Sequence, residues 1–86
     1  MPEISRFFGI VIKMFFDDHN PPHFHAFYGE EQALVDIRHL SLFAGELSPR
    51  ALGLVIEWAT LHQRELLENW HRADGQKPLE KIEPLK

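Results

Sequence analysis

The stretch His23-Phe24-His25-Ala26-Phe27-Tyr28-Gly29-Glu30-Glu31-Gln32-Ala33-Leu34-Val35-Asp36-Ile37 decides the fold. Two aromatic or β-branched runs, about 23–28 and 32–37, flank Gly29-Glu30. Glycine in the first central position of a two-residue loop is the preference of a type II′ hairpin turn. That turn sets Phe24 opposite Val35 and Ala26 opposite Ala33, gathering the apolar residues on one side. On the other side His23 faces Asp36 and His25 faces Leu34. A slip of one residue would send every side chain to the wrong face, so the pattern fixes the register as well as the strands.

Outward toward the N-terminus, a strand is expected over about 7–16. Its regular part alternates Ile10, Ile12, Met14 and Phe16 against Val11, Lys13 and Phe15. Gly9 reads as a bulge or bend after Arg6-Phe7-Phe8. Toward the C-terminus, Ser48-Pro49 marks a helix start, with serine a good cap and proline favoured at the first helical position. The helix is expected over 49–70, with Leu52, Val55, Ile56, Ala59, Leu66 and Trp70 on the stripe that covers the sheet. Leu54, Trp58 and Leu61 form a second apolar stripe for which little chain remains as cover, so they are predicted to be a partner or intersubunit surface. Asp74 to Pro78 reads as a turn, and the tail 78–86 docks through Leu79, Ile82 and Leu85. The expectation is one α+β domain spanning 1–86: a three-stranded antiparallel sheet with one long helix packed on one face.

Composition narrows the classes. With 86 residues the chain forms one small domain, and seven Phe, two Trp and one Tyr supply an aromatic core. The absence of cysteine excludes disulfides, thiolate zinc sites and cysteine nucleophiles, and suits a reducing cytoplasm. No apolar run approaches the ~20 residues of a membrane span, and the N-terminus lacks the build of a signal peptide. The protein is therefore expected to be soluble and cytoplasmic. Thirteen acids against nine bases give a net charge of −4, which disfavours nonspecific binding to nucleic-acid phosphates.

Chemistry concentrates in Asp17-Asp18-His19-Asn20-Pro21-Pro22-His23-Phe24-His25, which holds three of the six histidines. The proline pair forces an extended or turning backbone. Imidazole suits both proton transfer near neutral pH and metal ligation. Elsewhere, His39 and His62 read as surface or partly buried contacts, His71 as a favourable cation at a helix C-terminus, and Asp17-Asp18 as loop acids or turn caps.

Four strings, Ser5-Arg6-Phe7-Phe8-Gly9, Asp18 to His25, Arg50-Ala51-Leu52 through Trp58, and Ile82-Glu83-Pro84-Leu85, resemble the small bacterial DUF4160 family over nearly the whole chain. The resemblance brings no settled activity. It implies a gene context like that of a toxin–antitoxin pair, and hence a neighbouring small antitoxin-like protein or a homodimer as partner. A weaker, architectural similarity is to HicA-type mRNA interferases, which also carry a histidine at the start of a hairpin strand and a Pro-containing loop before a helix. This chain lacks their first helix and their basic charge.

Three readings of the cluster follow. In one, His23 and His25 act as general base and acid on a ribose 2′-hydroxyl, Asp36 orients the ring and stabilises its cationic form, and Lys13 or Arg38 offsets phosphoryl charge, giving a metal-independent ribonuclease or RNA-binding protein. In another, His19, His23 and His25 ligate zinc or another transition metal, because a His-x-His pair on a strand points both rings to one side. In the third, the histidines only satisfy backbone groups in a tight loop and the protein is a structural partner.

Overall fold

A computed structural model describes residues 3–86. Five strands, β1 (Glu3–Phe7), β2 (Ile10–Lys13), β3 (His23–Tyr28), β4 (Glu31–Asp36) and β5 (Ser41–Gly45), form one antiparallel sheet in sequential order. Two helices follow, α1 (Pro49–Leu61) and α2 (Gln63–Asp74). The α+β class holds, but the sheet has five strands rather than three and there are two helices rather than one.

β3 and β4 pair in the expected register, with Phe24 opposite Val35, Ala26 opposite Ala33 and His23 opposite Asp36. Gly29 alone of the turn pair has positive φ, as a type II′ turn requires. The N-terminal strand is instead two. Phe8 and Gly9 have φ of 50° and 80°, the two positive values of a type I′ turn, and Phe7 pairs with Ile10 across it. Regular pairing of β2 ends at Lys13, so residues 14–16 belong to the following loop. The second additional strand, β5, lies beyond a turn in which Leu40 donates its N–H to the Asp36 carbonyl. Its register on β4 shifts between Leu34 and Val35. Gly45 ends β5 at φ 75°, where a Cβ would collide with the Gln32 carbonyl oxygen.

Ile10, Ile12, Phe24, Ala26, Ala33 and Val35 turn to one face of the sheet and are fully buried. α1 crosses that face. Trp58 packs against Phe7 at 5.3 Å and edge-on to Phe24 at 5.7 Å, and its indole N–H donates to the Glu83 carbonyl at 2.8 Å. Trp58 is 0% exposed, so it is not the predicted docking surface. Leu54 is half-buried against the core and Leu61 is exposed. The cover that the sequence seemed to lack comes from β1 and the tail. Ile82 is buried and donates its N–H to the Ile4 carbonyl, while Leu79 and Leu85 pack on the core.

The helix breaks at His62, whose N–H is shared between the Trp58 and Ala59 carbonyls. No Gly or Pro causes the break. Gln63 Nε2 instead donates to the Ile37 carbonyl at the end of the sheet, and the His62 ring meets Glu65 at 2.6 Å. Ser48 supplies no side-chain cap; its N–H donates to a Glu31 carboxylate oxygen. No helix among the described residues is long and apolar enough to cross a membrane.

Trp58→Ala removes a filled core position and orphans the Glu83 carbonyl, and should destabilise by about 3–5 kcal/mol. Urea unfolding followed by circular dichroism checks this. A variant as stable as wild type would show that the Trp58 contacts do not hold the sheet, helix and tail together.

Candidate metal centre

Residues 14–22 link β2 to β3 and carry a cis Asn20–Pro21 bond. Pro22 is buried, and its carbonyl accepts the Ile37 N–H at 3.0 Å, which ties the loop's end to the β4 side of the sheet. The loop places the Asp18 side chain over the first turn of β3. His25 Nε2 lies 2.9 Å from Asp18 Oδ2, and His23 Nε2 lies 3.2 Å from the same oxygen. The two side chains are 7% and 12% exposed for His23 and His25, and Asp18 is 27% exposed, so the site is enclosed but open on its carboxylate side.

The hydrogen bonds define the chemistry. His23 Nδ1 is 2.8 Å from the Pro21 carbonyl oxygen, which only accepts, so Nδ1 carries the proton and donates. The other ring nitrogen, Nε2, faces the Asp18 carboxylate oxygen. A proton on Nε2 or a metal ion shared with Asp18 makes this contact attractive. His25 Nδ1 is buried with no hydrogen-bond partner among the described residues. Burying an unpaired polar group costs about 1–3 kcal/mol.

Aromatic walls fix the rings. His23 sits against Trp70 of α2 at 5.3 Å and edge-on to Phe43 of β5 at 5.4 Å. Phe15 meets His25 edge-on at 4.5 Å, and Phe27 stacks on it at 6.3 Å. The break at His62 matters here, because it starts the separate helix that carries Trp70 to His23.

The structure brings together Asp18, His23 and His25, whose ligand atoms all lie within 4.8 Å of one another. His19, expected as the third ligand, is exposed and outside this group, and Asp18 takes its place. Asp36 is opposite His23 in the ladder but is not its partner. Its carboxylate accepts the N–H groups of Arg38 at 2.8 Å and His39 at 2.9 Å, and lies 3.3 Å from His39 Nδ1. Closing the turn after a strand is a common use of aspartate, and it draws the side chain away from the ladder. The hydrogen bond from the His39 N–H, with further help from the His39 side chain and the Arg38 N–H, holds the Asp36 carboxyl below its ordinary value despite partial desolvation. Lys13 pairs with His25 across β2 and β3, and its ammonium lies 5.0 Å over the Phe27 ring. Arg38 is exposed in the turn beyond β4, on the far side of β3 from Lys13. Asp18 was legible only as part of a composition; its neighbourhood to the rings depends on how the prolines turn the chain.

The sequence model of a family described as a domain of unknown function, DUF4160, matches residues 9–71, and the chain belongs to this family. The match runs from the β1–β2 turn into α2 and contains Asp18, His23 and His25. No curated protein and no solved structure matches the chain.

Because its folded-state value is depressed, Asp36 contributes stability that is present above the ordinary aspartate value of about 4 and is lost as pH falls through the lower folded value. Asp36→Ala should cost about 1 kcal/mol near pH 7. The difference from wild type should shrink below pH 4. Urea midpoints of both proteins across that range test the sign, and a difference that grows on acidification would contradict it.

Proposed function

We propose that this protein binds a divalent transition metal through His23 Nε2, His25 Nε2 and an Asp18 carboxylate oxygen. The observation that carries the proposal is the convergence of His23 Nε2, His25 Nε2 and an Asp18 carboxylate oxygen in an enclosed site, with ligand atoms within 4.8 Å of one another. The His23 Nδ1–H bond to the Pro21 carbonyl is the outer contact that typically sets a ligating histidine's tautomer and orientation. Two imidazoles and one carboxylate, without thiolate, suit zinc, iron(II), nickel or copper rather than magnesium or calcium. Three protein ligands leave coordination positions free, so a bound metal would act as a Lewis acid or as a sensor, with Asp18 on the accessible side.

Elemental analysis of purified, untagged protein should find near-stoichiometric transition metal, lost in His23→Ala and in Asp18→Ala. Metal added to apoprotein at about 100 times its Kd should stabilise by about 2.7 kcal/mol, seen as a rise in Tm that the variants lack. Folded protein that neither carries metal nor is stabilised by zinc, nickel, copper or iron(II) would end the proposal.

A second function draws on the half-buried surface beside the site, where Phe15 of the loop meets His25, Phe27 of β3 stacks on His25 and Lys13 lies over Phe27. Aromatic side chains on a sheet stack single-stranded bases, and a nearby cation contacts phosphate. In this case the chain is the RNA-binding component of a toxin–antitoxin-like module. Cleavage without metal fits the geometry less well, since both Nε2 atoms already face Asp18 and His23 is enclosed. Fluorescence anisotropy with an RNA oligonucleotide should then show binding that weakens with salt and falls in Lys13→Ala and Phe27→Ala. Binding unaffected by both substitutions would remove this surface from consideration.

A further inference from the structure

The two edges of the sheet are treated differently. The outer side of β1 is taken by the tail, where Ile82 donates to the Ile4 carbonyl and Asn69 grips Glu80 through two hydrogen bonds at 2.9 Å. The outer side of β5 has no neighbouring strand. Edge strands are usually protected by charge or proline as well as by bulges. β5 is Ser41-Leu42-Phe43-Ala44-Gly45, with neither charge nor proline, and it has only the register shift opposite Leu34 and Val35. Phe43 at its centre is 46% exposed.

We propose that β5 pairs antiparallel with β5 of a second copy of this chain, about a two-fold axis near Phe43. The charges flanking the strand choose this occupant. Arg38 precedes β5 and Glu46 follows it, and neither makes an ion pair among the described residues. Antiparallel pairing about Phe43 sets Glu46 of each strand opposite Leu40 of the other, two residues from Arg38, so the attraction occurs twice; the Asp36 carboxylate at that end is already taken up by its own turn. It also sets Phe43 beside its counterpart, an aromatic cross-strand pair of the kind that stabilises sheets. The two sheets become continuous. The pairing relocates the contact expected at Trp58 to a strand that is exposed, and it does not depend on metal at Asp18, His23 and His25.

The chain has no cysteine, so a single introduced thiol can only couple to its own counterpart. Directly opposed residues of antiparallel strands have Cα atoms about 4.5–5.5 Å apart, within disulfide reach. Phe43→Cys should therefore crosslink into a covalent dimer under mild oxidation, whereas Leu61→Cys, on the exposed flank of α1, should not. Sedimentation of the wild type should give twice the chain mass, falling to the single chain mass in Phe43→Glu with unchanged circular dichroism. A wild type that remains monomeric at high concentration overturns the proposal. So does a dimer that Leu61→Cys traps and Phe43→Cys does not, because it places the contact on the helix; a dimer that captures neither thiol also overturns it.

Discussion

Trp58 is the place where sheet, helix and tail become mutually dependent. Its ring fills the space between Phe7 of β1 and Phe24 of β3, and its N–H is satisfied by the Glu83 carbonyl. A short chain buries too little surface for any of these pieces to stand alone. The indole solves two problems in one position, since it contributes a large apolar area and its polar atom pins the tail. With the tail held there, Ile82 reaches the edge of β1 and closes it. The order of the sheet at β3 and the closure at β1 thus rest on the same side chain.

The histidine site sits on the opposite face and depends on this frame indirectly. β3 is the middle strand; His25 is paired on both sides, with Lys13 of β2 and Leu34 of β4, and His23 is paired with Asp36 of β4. Asp18 comes from a loop, but the loop is anchored at Pro22 by the Ile37 N–H and at Pro21 by the His23 ring. Cross-strand ion pairs of ordinary kind are worth about 0.2–1 kcal/mol. At this site two enclosed imidazoles meet on one carboxylate oxygen.

The parts of the fold readable from sequence were those set by local rules. Alternation in residues 23–28 and 32–37, with Gly29 between them, fixed both strands and their register, and Ser48-Pro49 marked the start of α1. The edge strands escaped because their signals were weak. The β1–β2 turn places Phe8 at positive φ, where Asn, Asp or Gly would announce a hairpin, and β5 is five residues long with little alternation. The break at His62 escaped for a different reason. It has no breaker residue and arises from Gln63 reaching the Ile37 carbonyl, a contact between segments far apart in sequence. At the site, the rings were evident and their carboxylate was not. Register correctly set Asp36 opposite His23, but register governs Cα positions, and the Asp36 side chain was claimed by the N–H groups of its own turn.

The site and the open edge share one residue. The His23 ring lies between Trp70, nearly buried on α2, and Phe43, half-exposed on β5. Trp70 is backed by the helix and by the core cluster, so the helix side of His23 is a fixed wall. Phe43 has no strand beyond it and is the softer of the two contacts. Phe43 thus links the His23 ring directly to the edge strand. The chain places its most concentrated chemistry one aromatic contact away from a sheet edge that no strand covers among the described residues.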